Sequence, residues 1–201
     1  MQRIGLFLCD AGLGVFSAIF ICWIFGTHVT LGYLVVGIIF AYIPDIDWVS
    51  DKHFWKTGTV AAYAANPYDH REGLHKPLLW ALVLSSWGLF VSTPTPHIAL
   101  TAVMMHFLHD TTGTGWGMPW LWPLSKRRFK LFSTLENVLT FRSFFASWSY
   151  KELPHYITKY GRGNWKTYYY STWTSVALVE TLVAVLGLTT GVFALTLQYI
   201  H

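Results

Sequence analysis

What most constrains this chain is a succession of long apolar segments separated by short polar ones. They cover residues 4–25, 30–43, 77–92, 97–110 and 173–200. A helix needs about twenty apolar residues to cross a bilayer. The first and last segments reach that length. The middle three fall short, and must tilt, borrow flanking residues or lie partly buried in a bundle. Only 12% of residues are charged and 53% are hydrophobic, against a charged share of about a quarter in soluble domains. The expected fold is therefore all-α: an integral membrane bundle of about five apolar helices forming a single domain over residues 1–201. A compact helical domain lying in one leaflet is the alternative. The first apolar run is long and no small-residue cleavage site follows it, so it reads as a helix and not as a cleavable signal.

Charge decides which way such a bundle faces. Nine of the 14 Lys and Arg lie between Lys126 and Lys166. With the amino terminus inside, residues 44–76 and 111–172 become cytoplasmic, and residues 93–96, rigid with two prolines, form an outer turn. This satisfies the positive-inside rule, so the basic block reads as a cytoplasmic loop and no nucleic-acid partner is expected. Residues 131–170, mixed aromatic and basic, are expected to hold an amphipathic helix on the membrane surface. Cys9 and Cys22 both sit in the first apolar segment and read as buried thiols.

The same orientation gathers the polar residues of the apolar segments at one face. Asp10 lies near the start of helix one, Asp45 and Asp47 at the end of helix two, and His70 and His75 before helix three. His106 and Asp110 end helix four, and Glu180 lies near the start of helix five. His106 and Asp110 stand one helical turn apart, on one face. An imidazole and a carboxylate so fixed can share a divalent cation. Each feature alone has a plainer meaning. His106 and Asp110 could be an ion pair at a helix end, and Pro44 with its two aspartates a helix stop. Convergence is what favours a site.

Asp45, Asp47, His75, His106 and Asp110 are the primary ligand candidates, and His70 is a ligand or general acid. His109 points about a third of a turn away from His106, which suits a second-shell donor or general acid. Arg71 can clamp an anion through its planar fork, or pair with Asp69 or Glu72. Lys76 is a second anion contact or a snorkelling interface residue. The run Trp120-Leu-Trp-Pro123 reads as an interface anchor. Nitrogen and oxygen ligands of this kind suit Zn, Mn, Fe or Mg. A metal among them would lower the pKa of bound water and polarise a phosphoryl or carbonyl oxygen, so the reaction class is hydrolysis.

Together Pro44-Asp-Ile-Asp47, His70-Arg-x-x-x-His75, and His106-x-x-x-Asp110 with its Gly-rich loop and Leu121-Trp-Pro123 resemble the YdjM-type family. That family consists of inner-membrane proteins held to be metal-dependent hydrolases, and it is distantly similar to the zinc-dependent phospholipase C and P1 nuclease group. The resemblance implies metal binding by Asp45, Asp47, His70, His75, His106 and Asp110. It covers roughly residues 10–132. The chain departs from the family at several places. Asp10 stands where members often have His, which shifts the metal preference toward harder ions. Trp48 replaces a frequent His, and Leu74 and Lys76 replace hydroxyl residues.

The leading expectation is a multi-pass inner-membrane, metal-dependent hydrolase facing the cytoplasm. Its ion would be a divalent metal, zinc first, and its substrate a phosphoester or lipid-like molecule. A non-catalytic protein with a structural ion is the second reading. An ion or proton transporter relaying through Asp10, His106 and Glu180 is the third.

Overall fold

A computed structural model describes residues 8–46, 73–112, 117–131, 145–160 and 175–197. They form six α-helices and one two-stranded sheet. The helices are α1 (Cys9–Phe25), α2 (Leu31–Tyr42), α3 (Pro77–Phe90), α4 (Pro94–Thr112), α5 (Leu153–Tyr160) and α6 (Ser175–Leu197). The strands are β1 (Arg128–Leu131) and β2 (Phe145–Trp148).

Local chemistry sets the helix ends. Gly26 ends α1 in the left-handed conformation at φ 62°, which glycine adopts without steric cost. The Thr27 N–H then returns to the Cys22 carbonyl at 2.9 Å. Thr30 caps α2, its hydroxyl accepting the Tyr33 N–H at 3.2 Å. Pro77 occupies the first position of α3, where its missing N–H costs nothing. After α2 the chain tightens into a 3-10 turn, Ile43–Asp45. Pro44 cannot donate to the preceding turn, and the turn delivers Asp45 at the helix end.

The described chain divides into two compact units. One contains residues 3–44, 79–106 and 179–201. Within it α1 crosses α2 so closely that a Cβ on Gly14 would lie 2.5 Å from the Gly37 carbonyl oxygen. Likewise a Cβ on Gly187 of α6 would lie 2.5 Å from the Gly12 Cα. Its core is Val15, Ala18, Ile21, Cys22, Leu34 and Ile98. Its exterior is apolar: Trp23 is 75% exposed, Leu89 83%, Phe90 86% and Val192 67%. Small residues inside and large apolar ones outside is the packing of helices in lipid. Cys9 and Cys22 are buried free thiols, as expected.

The other unit contains residues 45–78 and 107–178. β1 and β2 pair antiparallel, Arg128 opposite Trp148 and Leu131 opposite Phe145. Met118 adds a bridge to Phe129. Gly117, at φ 79°, lets the chain pass so close that a Cβ there would meet the Phe129 carbonyl oxygen at 2.6 Å.

Two expectations are corrected here. The sheet departs from an all-α fold. Within residues 131–170 an amphipathic helix is present as expected, α5, and β2 stands beside it in the chain among the described residues. Pro94 and Pro96, expected to form a turn, lie in the first turn of α4, where a proline forfeits no helical hydrogen bond. Among the described residues one helix, spanning Ala177–Leu197 of α6, is long and apolar enough to cross a membrane. Cys9–Phe25, Leu31–Asp45 and Pro77–Phe90 are apolar but shorter.

Candidate metal centre

Three segments bring the site together. The 3-10 turn after α2 carries Asp45, the approach to α3 carries His75, and the last turns of α4 carry His106 and Asp110. One ligand atom from each of these four residues lies within 4.8 Å of all the others. His75 is the hub: its Nε2 is 3.2 Å from Asp45 Oδ1 and 3.3 Å from Asp110 Oδ2. The His75 ring is fully buried and packs at 5.9 Å from Phe107, the residue after His106. His106 is 1% exposed and joins from one helical turn before Asp110.

The electrostatics favour a cation. Two carboxylates face a single imidazole nitrogen, which has one proton at most to offer between them. Two aspartates and two neutral histidines carry two negative charges, which one divalent ion would balance. The spacing agrees. Neighbouring ligand atoms about 2.0–2.1 Å from one tetrahedral ion stand about 3.3–3.4 Å apart. The group is thus of the kind that holds a divalent metal, and the donor set does not fix which.

His106 has a further neighbour, Asp10, whose Oδ1 is 3.4 Å from His106 Nδ1. Asp10 is 7% exposed and stands outside the group of four. A carboxylate against the second ring nitrogen of a metal-binding histidine orients the ring and raises its basicity. His109 is half-buried on α4 and is also outside the group. Glu180 is buried on α6, likewise outside it. Asp47, His70 and Arg71 lie outside the described residues.

Sequence reasoning missed what surrounds the ligands. Thr111, directly after Asp110, is 1% exposed. It donates to the Phe107 carbonyl at 2.7 Å and accepts the Trp120 indole N–H at 2.8 Å. Lys76, directly after His75, places its ammonium 5.0 Å from the centre of the Trp122 ring, a cation–π contact that its sequence neighbours do not announce. Arg128 and Lys130, expected in a solvated or lipid-facing basic block, are 1% and 2% exposed. Strand alternation turns both to the same face, and Arg128 Nη1 donates to the Gly117 carbonyl at 3.1 Å. The period-two pattern of Arg-Phe-Lys-Leu was the only signal of this in the sequence.

The model of a family described as YdjM inner membrane protein matches residues 9–197. No curated protein and no solved structure matches the chain.

Proposed function

The chain belongs to the YdjM inner membrane protein family, and from that premise we propose that it is a membrane-bound, metal-dependent hydrolase. In this reading it acts at the cytoplasmic face on a phosphoester or lipid-like substrate. The single observation that carries the reading is the mutual approach of Asp45, His75, His106 and Asp110 within 4.8 Å. Zinc is the first choice of ion, because half the donors are imidazoles and the 3.2 and 3.3 Å separations at His75 Nε2 suit a small tetrahedral shell. Mn, Fe and Mg are the alternatives.

When bound, the ion supplies Lewis acidity and a water acidified to near neutrality. The protein does the rest. The Asp45 side chain, 27% exposed, is the most open of the three residues around the His75 nitrogen and marks where a substrate would enter. The buried His75 ring excludes water from behind the ligands. Asp10 holds His106 in one orientation. His109 is the proton donor this reading assigns to the leaving group. His70 and Arg71 supply a further ligand and an anion contact. Apolar α1, α2 and α3, together with α4 and α6, make up the proposed five-span bundle, its amino terminus inside.

The second reading is a structural ion in a protein without turnover. Its support is the near-complete burial of both imidazoles, 0% and 1% exposed. Metal analysis of protein purified in detergent, followed by a screen of phosphoester and lipid substrates with and without chelator, separates the two. Ion with chelator-sensitive hydrolysis supports an enzyme. Ion without turnover supports the structural site. No ion at all ends both.

A further inference from the structure

Residues 119–127 stand out once the ligands are in place. Trp120 donates its indole N–H to Thr111, the neighbour of Asp110. Trp122 lies under the ammonium of Lys76, the neighbour of His75. His75 and Asp110 themselves approach to 3.3 Å. The contacts therefore close a ring: Asp110, Thr111, Trp120, Leu121, Trp122, Lys76, His75 and back to Asp110. Two further bonds stiffen the segment, Trp122 N–H to the Pro119 carbonyl at 3.1 Å and Ser125 N–H to the Leu121 carbonyl at 3.0 Å.

The outer side of this segment has the opposite character. Leu121 is 47% exposed and Leu124 83%, and the exposed Lys126 and Arg127 follow at once, the Arg127 guanidinium also donating to the Ser147 hydroxyl and carbonyl. Apolar side chains beside cations suit one surface in particular. The leucines enter the acyl boundary and the cations meet anionic phosphates. A protein of an inner-membrane family has that surface at hand.

We propose that residues 119–127 form a membrane-seated brace. Its outer side docks on an anionic bilayer, and its inner side holds the segments bearing His75 and Asp110 at ligand distance. Trp120 and Trp122 are then positioning residues that act on the ion through Thr111 and Lys76. The inference rests on the metal-binding reading above and assigns the parts of that site that hold it against lipid.

The test uses the full chain in nanodiscs containing anionic lipid. A fluorophore is placed on L124C, the buried Cys9 and Cys22 remaining unlabelled, and quenched with lipids bearing bromine on their acyl chains. Strong quenching supports the seat, and a label no more quenched than one on the exposed K151C overturns it. Zinc affinity is then measured for wild type, W122L and W122F. The brace predicts a Kd weakened about ten- to hundredfold in W122L, the usual effect of losing a support behind a ligand. It also predicts recovery of most of that loss in W122F, whose ring still accepts the ammonium. Equal binding by wild type and W122L overturns the brace and leaves the metal site standing. Failure of wild type to bind any ion sinks the metal site itself, and the brace with it.

Discussion

His75 Nε2 lies 3.3 Å from Asp110 Oδ2, joining the approach to α3, two residues before its start, to the last turn of α4. The contact is buried on the histidine side and nearly so on the carboxylate side, so neither group is well solvated as an ion. Removing one partner leaves the other with an uncompensated desolvation cost. H75A and D110N should each abolish stoichiometric zinc binding, while K151A on the exposed surface should leave it intact. Metal analysis of the purified variants, set against wild type, checks this.

The orienting role proposed for Asp10 gives a graded outcome. D10N keeps the volume and removes the charge facing His106. Zinc affinity should fall about ten- to hundredfold without being lost, as for other supports behind a ligand histidine. Competition with a chromophoric chelator measures it. An affinity equal to that of wild type would show that the 3.4 Å approach carries no weight.

Ion removal should appear in stability as well as in composition. An ion that binds the folded chain alone stabilises it by about 2.7 kcal/mol when present at about a hundred times its Kd. Thermal unfolding in detergent with excess zinc, and again after chelation, should therefore differ in midpoint. In H75A the two curves should coincide.

Helix crossing gives a prediction independent of the metal. Gly14 stands where an added Cβ would meet the Gly37 carbonyl oxygen at 2.5 Å. G14A should cost about 1–3 kcal/mol, the usual range for forcing a methyl group into a packed contact. G14L should cost more. G26A makes a useful contrast, since nothing lies within 4 Å of its would-be Cβ; its cost comes only from the left-handed backbone at φ 62°.

At the surface, Glu152 accepts the Ser149 N–H at 2.6 Å and the Ser149 hydroxyl at 2.7 Å. The backbone bond, with the hydroxyl bond second, holds its carboxyl below the ordinary value of 4.5. A carboxyl lowered by folding contributes stability above that value, and the contribution is lost as pH falls through the lower, folded one. The turn before α5 should therefore loosen progressively as pH falls below 4.5. The Ser149 amide resonance, followed against pH, should report this, and E152Q should remove the dependence.

Much of the helical frame was legible residue by residue. Thr30 announced the start of α2 and Gly26 the end of α1, because caps are local chemistry. Pro77 marked the start of α3 for the same reason. His106 and Asp110 could be placed on one face from helical spacing alone. The sheet was less legible, since strands of four residues draw their stability from partners elsewhere in the chain. Arg128 and Lys130 show the consequence: read as part of a basic block they belonged in solvent, and pairing with β2 buried them. Lys76 shows it again, since nothing in its neighbourhood in the chain points to the ring of Trp122.

The amino-acid sequence by itself determined that this chain is built mainly of apolar helices and which polar residues could serve a metal. Both follow from local propensity and from the cost of placing charge in an apolar segment. Only the tertiary structure decided that Asp45, His75, His106 and Asp110 share one small volume, that Asp10 approaches His106, and that two tryptophans contact the neighbours of His75 and Asp110. Coordination requires atoms from distant segments within a few ångströms of each other, and that distance is set by packing, which no single stretch of chain contains.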